Sequence, residues 1–266
     1  MSSLGWLDVS RIDFYALLLL EPLHVQYISQ REPDQSMGTA LQAHPAVAWY
    51  LRQTYPPIAP YIEACLELAD PTPTPSRLRA AEIEVLDSMQ DWLIYLLEPE
   101  KYDQLAFLSW DDASLLGMTD FQDKTVLDVG AGTGRLAFAA APLAKAVFAI
   151  EPVANLRRYL WKKRAALGID NVYPLDGLIT QIPLPENFAD ILMAGHVFGD
   201  ALEEEYQEMV RVVKDRGMIL LHPGTNADTE DDAHRFLLSK GFYFDRFTEP
   251  GDGPKRKYWK SVEKLH

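Results

Sequence analysis

The spacing of apolar residues divides the chain into two stretches. Through residue 120 the spacing is helical. HPAVAWYLRQTY (44–55) and IAPYIEACLELA (58–69) are separated by Pro56 and Pro57, and DPTPTPS (70–76) breaks the pattern before a longer amphipathic run. In that run Ile83, Leu86, Met89, Leu93 and Leu96 recur every three or four residues, which predicts one long helix with Ser76 as its N-cap. No strand pattern precedes residue 125.

From Phe121 onward short apolar runs alternate with helical ones. TVLDVG (125–130), AVFAIE (146–151), VYPLDG (172–177), ADILMAG (189–195) and MILLHPG (218–224) read as buried strands, each bounded by glycine, proline or an acid. Between them RLAFAAAPLAK (135–145), VANLRRYLWKKRAALG (153–168) and ALEEEYQEMVRVVKDRG (201–217) read as helices, the last with Leu202, Tyr206, Met209 and Val213 on one stripe. This βαβαβ order implies an α/β fold, a doubly wound, mostly parallel sheet. A final helix, opened by Thr229 and Asp232 as a capping pair and closed by Gly241, precedes FYFDRF (242–247) and KYWKSVEKL (257–265). Those two runs are joined by PGDGP with no helix between them, so they predict an antiparallel hairpin at a sheet edge. The expected organisation is an all-α region over residues 1–120 and an α/β domain over residues 121–266.

Composition narrows the class. With 266 residues, 48% of them hydrophobic, the chain can fill an ordinary core. The run Phe14–Leu20 stops at Glu21-Pro22, short of the roughly 20 residues a bilayer span needs. It also lacks a preceding basic cluster and a following small-residue cleavage site, so the expectation is a cytoplasmic protein with no membrane partner. The single cysteine, Cys65, excludes an intramolecular disulfide and occupies a helical apolar position, where it reads as core. Net charge is −14, and residues 1–120 carry 18 acidic and 6 basic side chains while the remainder carries 21 and 19. An acidic surface of that kind repels phosphate backbones and argues against a nucleic-acid substrate.

The candidate chemistry starts at VLDVGAGTGRLAF (126–138). Gly130, Gly132 and Gly134 fall between the first strand and the helix after it, where glycine lets a ligand touch the backbone and the helix offers free N–H groups. Two ligand classes compete, a dinucleotide read by G-x-G-x-x-G and a nucleoside without phosphate. The spacing here is G-x-G-x-G, and Asp128, two residues before the first glycine, would repel a pyrophosphate but could pair with an ammonium or sulfonium group.

DVGAGTG resembles motif I of the class I S-adenosylmethionine-dependent methyltransferases, and further blocks follow in order. Glu151 in AIEP matches the acid that holds the ribose hydroxyls in that family, and Asp176 in PLDG matches the residue facing the adenine amino group. IPLPENFADILMAGHVFGD and EMVRVVKDRGMILL are similar to the family's fourth-strand and fifth-strand blocks, with Asp215-Arg216 where Pro-Gly is usual. The resemblance covers residues 121–266. It implies a Rossmann-like seven-stranded methyltransferase domain whose cofactor is S-adenosylmethionine and whose product is S-adenosylhomocysteine. It also implies a cofactor site of Asp128, Gly130, Ala131, Gly132, Thr133, Gly134, Glu151, Pro152, Asp176, Gly177, Leu178, Gly195 and His196.

Methyl transfer from a sulfonium is an in-line displacement, so positioning and water exclusion dominate and a base is needed only when the acceptor's proton must leave early. The loops after the fourth and fifth strands offer His196 as the first candidate for base or acceptor contact, with His222 and Asp200 behind it. Alternatively, His196 packs against the methionine part of the cofactor. A metal set of Asp200, His222, Asn226 and Asp228 is conceivable, but its spacing is not diagnostic and no metal is expected. Trp110 could stack on a ligand or pack between domains. Arg157, Arg158, Lys162, Lys163 and Arg164 read as a solvated helix face, and Lys255, Arg256 and Lys257 as exposed. The helical region is expected to cover the cleft and select a small-molecule acceptor, in a monomer or homodimer. Three readings remain: such a methyltransferase, a nicotinamide-dependent oxidoreductase, and a non-catalytic cofactor-binding interaction protein.

Overall fold

The computed structural model describes residues 5–264. The chain forms two compact units, one ending at Tyr102 and one beginning at Asp103.

The first unit is all helix. It holds α1 (Pro22–Ile28), α2 (Gln35–Ala43), α3 (Pro45–Thr54), α4 (Ala59–Glu67), α5 (Pro75–Asp87), α6 (Gln90–Leu97) and α7 (Pro99–Tyr102), with the apolar run 14–19 coiled as a 3-10 turn before α1. The single helix expected after Arg77 is two, α5 and α6, because Ser88 ends the first by turning its hydroxyl back to the Val85 carbonyl (2.7 Å). Leu86, Met89, Leu93 and Leu96 remain buried on one side, so the apolar stripe survives the break. The cap of α5 is Thr74, whose side chain accepts the Arg77 N–H, and not Ser76, which lies inside the helix. Cys65 is fully buried, as its apolar position implied, and burial pushes its thiol up. Gly38 lets α2 touch α4 there, since a Cβ would stand 1.8 Å from the Cys65 carbonyl oxygen.

The second unit is a seven-stranded sheet between helices. Its strands are β1 (Thr125–Val129), β2 (Ala146–Ile150), β3 (Val172–Leu175), β4 (Ala189–Gly195), β5 (Val213–His222), β6 (Tyr243–Glu249) and β7 (Gly253–Ser261). They lie in the order β3-β2-β1-β4-β5-β7-β6. The first five are parallel, and β7 pairs antiparallel with both β5 and β6. Helices α8 (Ala113–Leu116), α9 (Arg135–Ala140), α10 (Ala154–Ala166), α11 (Leu202–Val212) and α12 (Asp232–Ser239) complete it. The chain order reverses between β1 and β4, which places any ligand site beyond the carboxyl ends of those strands.

Two expectations change here. VKDRG is strand and not helix: α11 stops at Val212, and β5 runs on from Val213, paired with Ala189 and bulged before Met218. The β-branched pair Val212-Val213 favours the switch, and Lys214 is drawn to the Asp190 carboxylate at 2.8 Å. Arg216 then takes the left-handed φ of +61° that glycine would ordinarily supply. The cap of α12 is Asp231, which accepts the His234 N–H at 2.7 Å, in place of Thr229 and Asp232.

Residues 103–120 belong with the sheet unit. Arg135, the first residue of α9, donates to the Leu108 carbonyl (2.6 Å), to the Trp110 carbonyl and to the Asp112 carboxylate. Lys163 on α10 holds Asp103 at 2.7 Å.

Candidate functional site

The glycine loop leaves β1 with three left-handed residues, Gly130 (φ +68°), Gly132 (φ +54°) and Gly134 (φ +86°). The space around the three differs. A Cβ on Gly130 would stand 2.0 Å from Val197, and one on Gly134 would stand 2.6 Å from the Phe138 ring. A Cβ on Gly132 would meet nothing within 4 Å. Gly130 and Gly134 are therefore small so that the loop after β4 and helix α9 can close in, whereas the missing side chain of Gly132 faces open space.

The acids at the strand ends are already engaged. Glu151, 4% exposed at the end of β2, accepts the Gly132 N–H (2.7 Å) with one oxygen and the Val153 N–H (2.9 Å) with the other. Asp128 is 1% exposed inside β1 and accepts the Ala137 N–H of α9 at 2.8 Å. Burial, with Glu151 nearby, pushes its carboxyl up to about 7. The sequence argument placed Asp128 against a cationic ligand; the structure seals it under the loop, where it fixes the strand-to-helix turn. Asp176 is exposed beyond β3 and pairs with Arg157 at 3.0 Å. Gly177 beside it leaves room for Pro183 and Ile150, and Leu178 is exposed.

At the ends of β4 and β5, His196 has a left-handed φ of +57°, and its Nε2 lies 2.8 Å from the buried carboxylate of Glu249. Val197 packs on Gly130, joining this loop to the glycine loop. His222 is 1% exposed, stacked on Trp110 (5.1 Å between ring centroids) and edge-on to Phe247, with neither ring nitrogen hydrogen-bonded among the described residues. Burial lowers its pKa to about 3, so the ring is neutral. Its burial removes it from direct reach of an acceptor. Asp200 is exposed, and the loop that carries it is clamped by buried Glu205, which accepts the N–H groups of Gly199, Asp200 and Ala201. The four conceivable metal ligands are not gathered: Asp228 pairs with Arg246, and Asn226 accepts the Asp228 N–H. No group of three or more His, Cys, Asp or Glu side chains able to share a metal ion occurs among the described residues.

Residues 127–221, from the first strand to the end of the fifth, match the family model of a methyltransferase domain. Over those residues the second unit is similar to a methyltransferase domain. Protein arginine N-methyltransferase 1 of Schizosaccharomyces pombe is 30% identical over 131 residues, 49% of this chain and 38% of that protein. The uncharacterised methyltransferase YcgJ of Bacillus subtilis is 27% identical over 124 residues, 45% of this chain and 49% of its own length. The chain thus spans less than half the length of these curated relatives. A chain in the solved complex of the Haloferax volcanii Trm112 methyltransferase activator with a methyltransferase shares the fold, with a TM-score of 0.51 at 11% identity, covering 62% of this chain and 94% of that one.

Several residues of this unit had no sequence signal for their role. Arg157 was assigned to a solvated face, yet it donates to the Glu151 and Pro152 carbonyls as well as to Asp176. Lys163 donates to the Thr133 carbonyl (3.0 Å) in the glycine loop while holding Asp103. Arg164 caps the end of α10 on the Ile169 and Asp170 carbonyls, which leaves Arg158 and Lys162 as the exposed members of that run. Lys255 and Arg256 are buried, against Asp252 and the Thr229 carbonyl, because β7 is an interior strand and not an open edge. Trp110 packs within the sheet unit, under the Arg135 guanidinium at 4.3 Å. Glu249 and Gly224 were missed because each meets the ring of His196, which lies far from them in the chain, and Glu205 because its charge reads as solvated although it accepts the N–H groups of the loop just before its own helix.

Proposed function

We propose that this chain transfers the methyl group of S-adenosylmethionine to a small-molecule acceptor by in-line displacement. The observation that carries the reading is the joined pair of loops at the strand-order reversal: Gly132 opens a space over its own backbone, and Glu151 fixes that backbone from the neighbouring strand. A nucleoside lying there would meet Gly130–Gly134 along its amino-acid end, Glu151 and Pro152 near its ribose, and Asp176, Gly177 and Leu178 at its base. Gly195 and His196 would border the methyl-bearing end. The cofactor, when bound, supplies a methyl group on a positively charged sulfur. This chain's part is to hold the acceptor collinear with that methyl and to exclude water, with the helical region selecting the acceptor.

The domain's S-adenosylmethionine chemistry does not choose the acceptor, and one relative is named for arginine methylation. The test is S-adenosylhomocysteine production from S-adenosylmethionine over a panel of small phenols, amines and thiols and an arginine-rich peptide. Turnover of a small molecule supports the reading. Turnover of the peptide alone replaces it with protein methylation, and no turnover with any panel member favours a non-catalytic binder.

A further inference from the structure

His196 is held by more structure than a packing residue needs. Its backbone is left-handed, which costs a non-glycine residue about 1 kcal/mol or more. Its ring lies over Gly224, where a Cβ would stand 2.3 Å from Nδ1, 2.5 Å from Cε1 and 3.0 Å from Cγ. Those three distances put the missing methyl over the face of the ring and leave its edge clear. The Phe107 ring sits 5.6 Å away, tilted by 58°. Nε2 of the ring meets Glu249, the last residue of β6, 1% exposed, whose second oxygen is buried without a partner among the described residues.

A carboxylate only accepts, so Nε2 carries the hydrogen in the 2.8 Å bond and Nδ1 keeps its lone pair. Nδ1 has no hydrogen-bond partner among the described residues, and the side chain is 38% exposed. The nearby His222 ring is neutral and adds no charge against a protonated His196. Strained backbone, a glycine hollow and a buried carboxylate together aim one open imidazole nitrogen beside the cofactor loop.

Resting on the methyl-transfer reading above, we propose that His196 is the general base, that Glu249 is its positioning residue, and that the acceptor is a phenolic or enolic hydroxyl. The hydroxyl oxygen's electron pair forms the new O–CH3 bond, the C–S pair stays on sulfur, and the hydroxyl proton passes to Nδ1. The imidazolium so formed is paired with Glu249 until it yields the proton to water. The acceptor class follows from what a base of this kind can do. Carboxylates carry no proton to remove, a free amine attacks before losing one, and a thiol ionises in part unaided. An aliphatic hydroxyl near pKa ~16 is out of reach for an imidazole base, whereas a phenol near ~10 is within reach. Phe107 offers such a planar acceptor an apolar wall.

The test uses the full chain with S-adenosylmethionine and three probes: catechol, a 1,3-diketone that enolises, and benzylamine. His196→Gly is the decisive variant because glycine suits that φ, so the fold should hold. At saturating S-adenosylmethionine it should lose turnover of the hydroxyl probes by about 10²–10⁴-fold and regain part of it with added imidazole. Glu249→Gln should lower kcat by about 10–100-fold with KM and cofactor affinity unchanged, and Glu249→Asp should lower it less. Retained turnover in His196→Gly, no rescue by imidazole, or unchanged kcat in Glu249→Gln would overturn the dyad. Methylation of the amine but of neither hydroxyl probe, or of no probe, would overturn the acceptor class. Failure of the wild type to bind S-adenosylmethionine would instead remove the methyl-transfer reading beneath it.

Discussion

Glu151 accepts the backbone N–H of Gly132 at 2.7 Å, so the acid at the end of β2 holds the turn that follows β1. Because its other oxygen accepts the Val153 N–H, removing the side chain leaves two backbone donors short of a partner. Glu151→Ala should lower stability by about 1–3 kcal/mol and weaken S-adenosylmethionine binding, whereas Glu151→Gln, which can still accept, should lose less stability. Chemical denaturation beside ligand titration separates the two effects.

Asp128 gives a pH signature. Its folded-state pKa is raised from 3.8 to about 7, so the folded chain binds this proton more tightly than the unfolded chain. Its contribution is therefore most favourable below pH 4 and is lost as pH rises toward 7, a difference of at most about 4 kcal/mol. Asp128→Asn keeps an acceptor for the Ala137 N–H and removes the charge. Its melting temperature should exceed that of the wild type at pH 8, and the two should converge near pH 4. Equal curves at both pH values would show that Asp128 is solvated and ionised in the folded chain.

His222 acts in the opposite pH window. Its folded pKa is lowered from 6.5 to about 3, so below pH 6.5 the unfolded chain takes up the proton and stability falls until about pH 3. Its two ring nitrogens, unpaired among the described residues, also carry a desolvation cost at every pH. His222→Phe should stack on Trp110 equally well, gain about 1–3 kcal/mol at neutral pH, and flatten the acid limb of the stability curve. A loss of stability at pH 7 would mean that water or another donor satisfies the imidazole.

The segment from Asp103 to Asp112 hangs on two cations, Lys163 of α10, which also bonds the glycine loop, and Arg135 of α9. Arg135→Ala should raise amide hydrogen exchange in residues 103–112 by about tenfold or more while β1 and β4 stay protected. Uniform protection across that segment would show that apolar packing around Trp110 suffices.

The sheet was legible in the sequence because buried parallel strands are short apolar runs: β1 to β4 begin where TVLDVG, AVFAIE, VYPLDG and ADILMAG begin, while β5 starts at Val213, five residues before MILLHPG. The antiparallel hairpin was legible because nothing long enough to cross over separates FYFDRF from KYWKSVEKL. What misled was local charge: VKDRG reads as a helix end, but Lys214 and Arg216 serve a strand, and Arg157, Lys163 and Arg256 spend their charge on backbone carbonyls. Composition assigns such residues to solvent, since it cannot see an unsatisfied carbonyl several elements away. The glycines and Glu151 were found at the strand ends. Glu249 was not, because its only distinction is a histidine 53 positions earlier in the chain.

The most direct measurement is calorimetric titration of the whole chain with S-adenosylmethionine, S-adenosylhomocysteine and NAD, repeated with Gly132→Val, which fills the open space over the loop. The account predicts micromolar binding of both sulfur nucleosides, none of NAD, and loss of binding in the variant. Binding of NAD in their place, or sulfur-nucleoside binding undiminished by Gly132→Val, would contradict it.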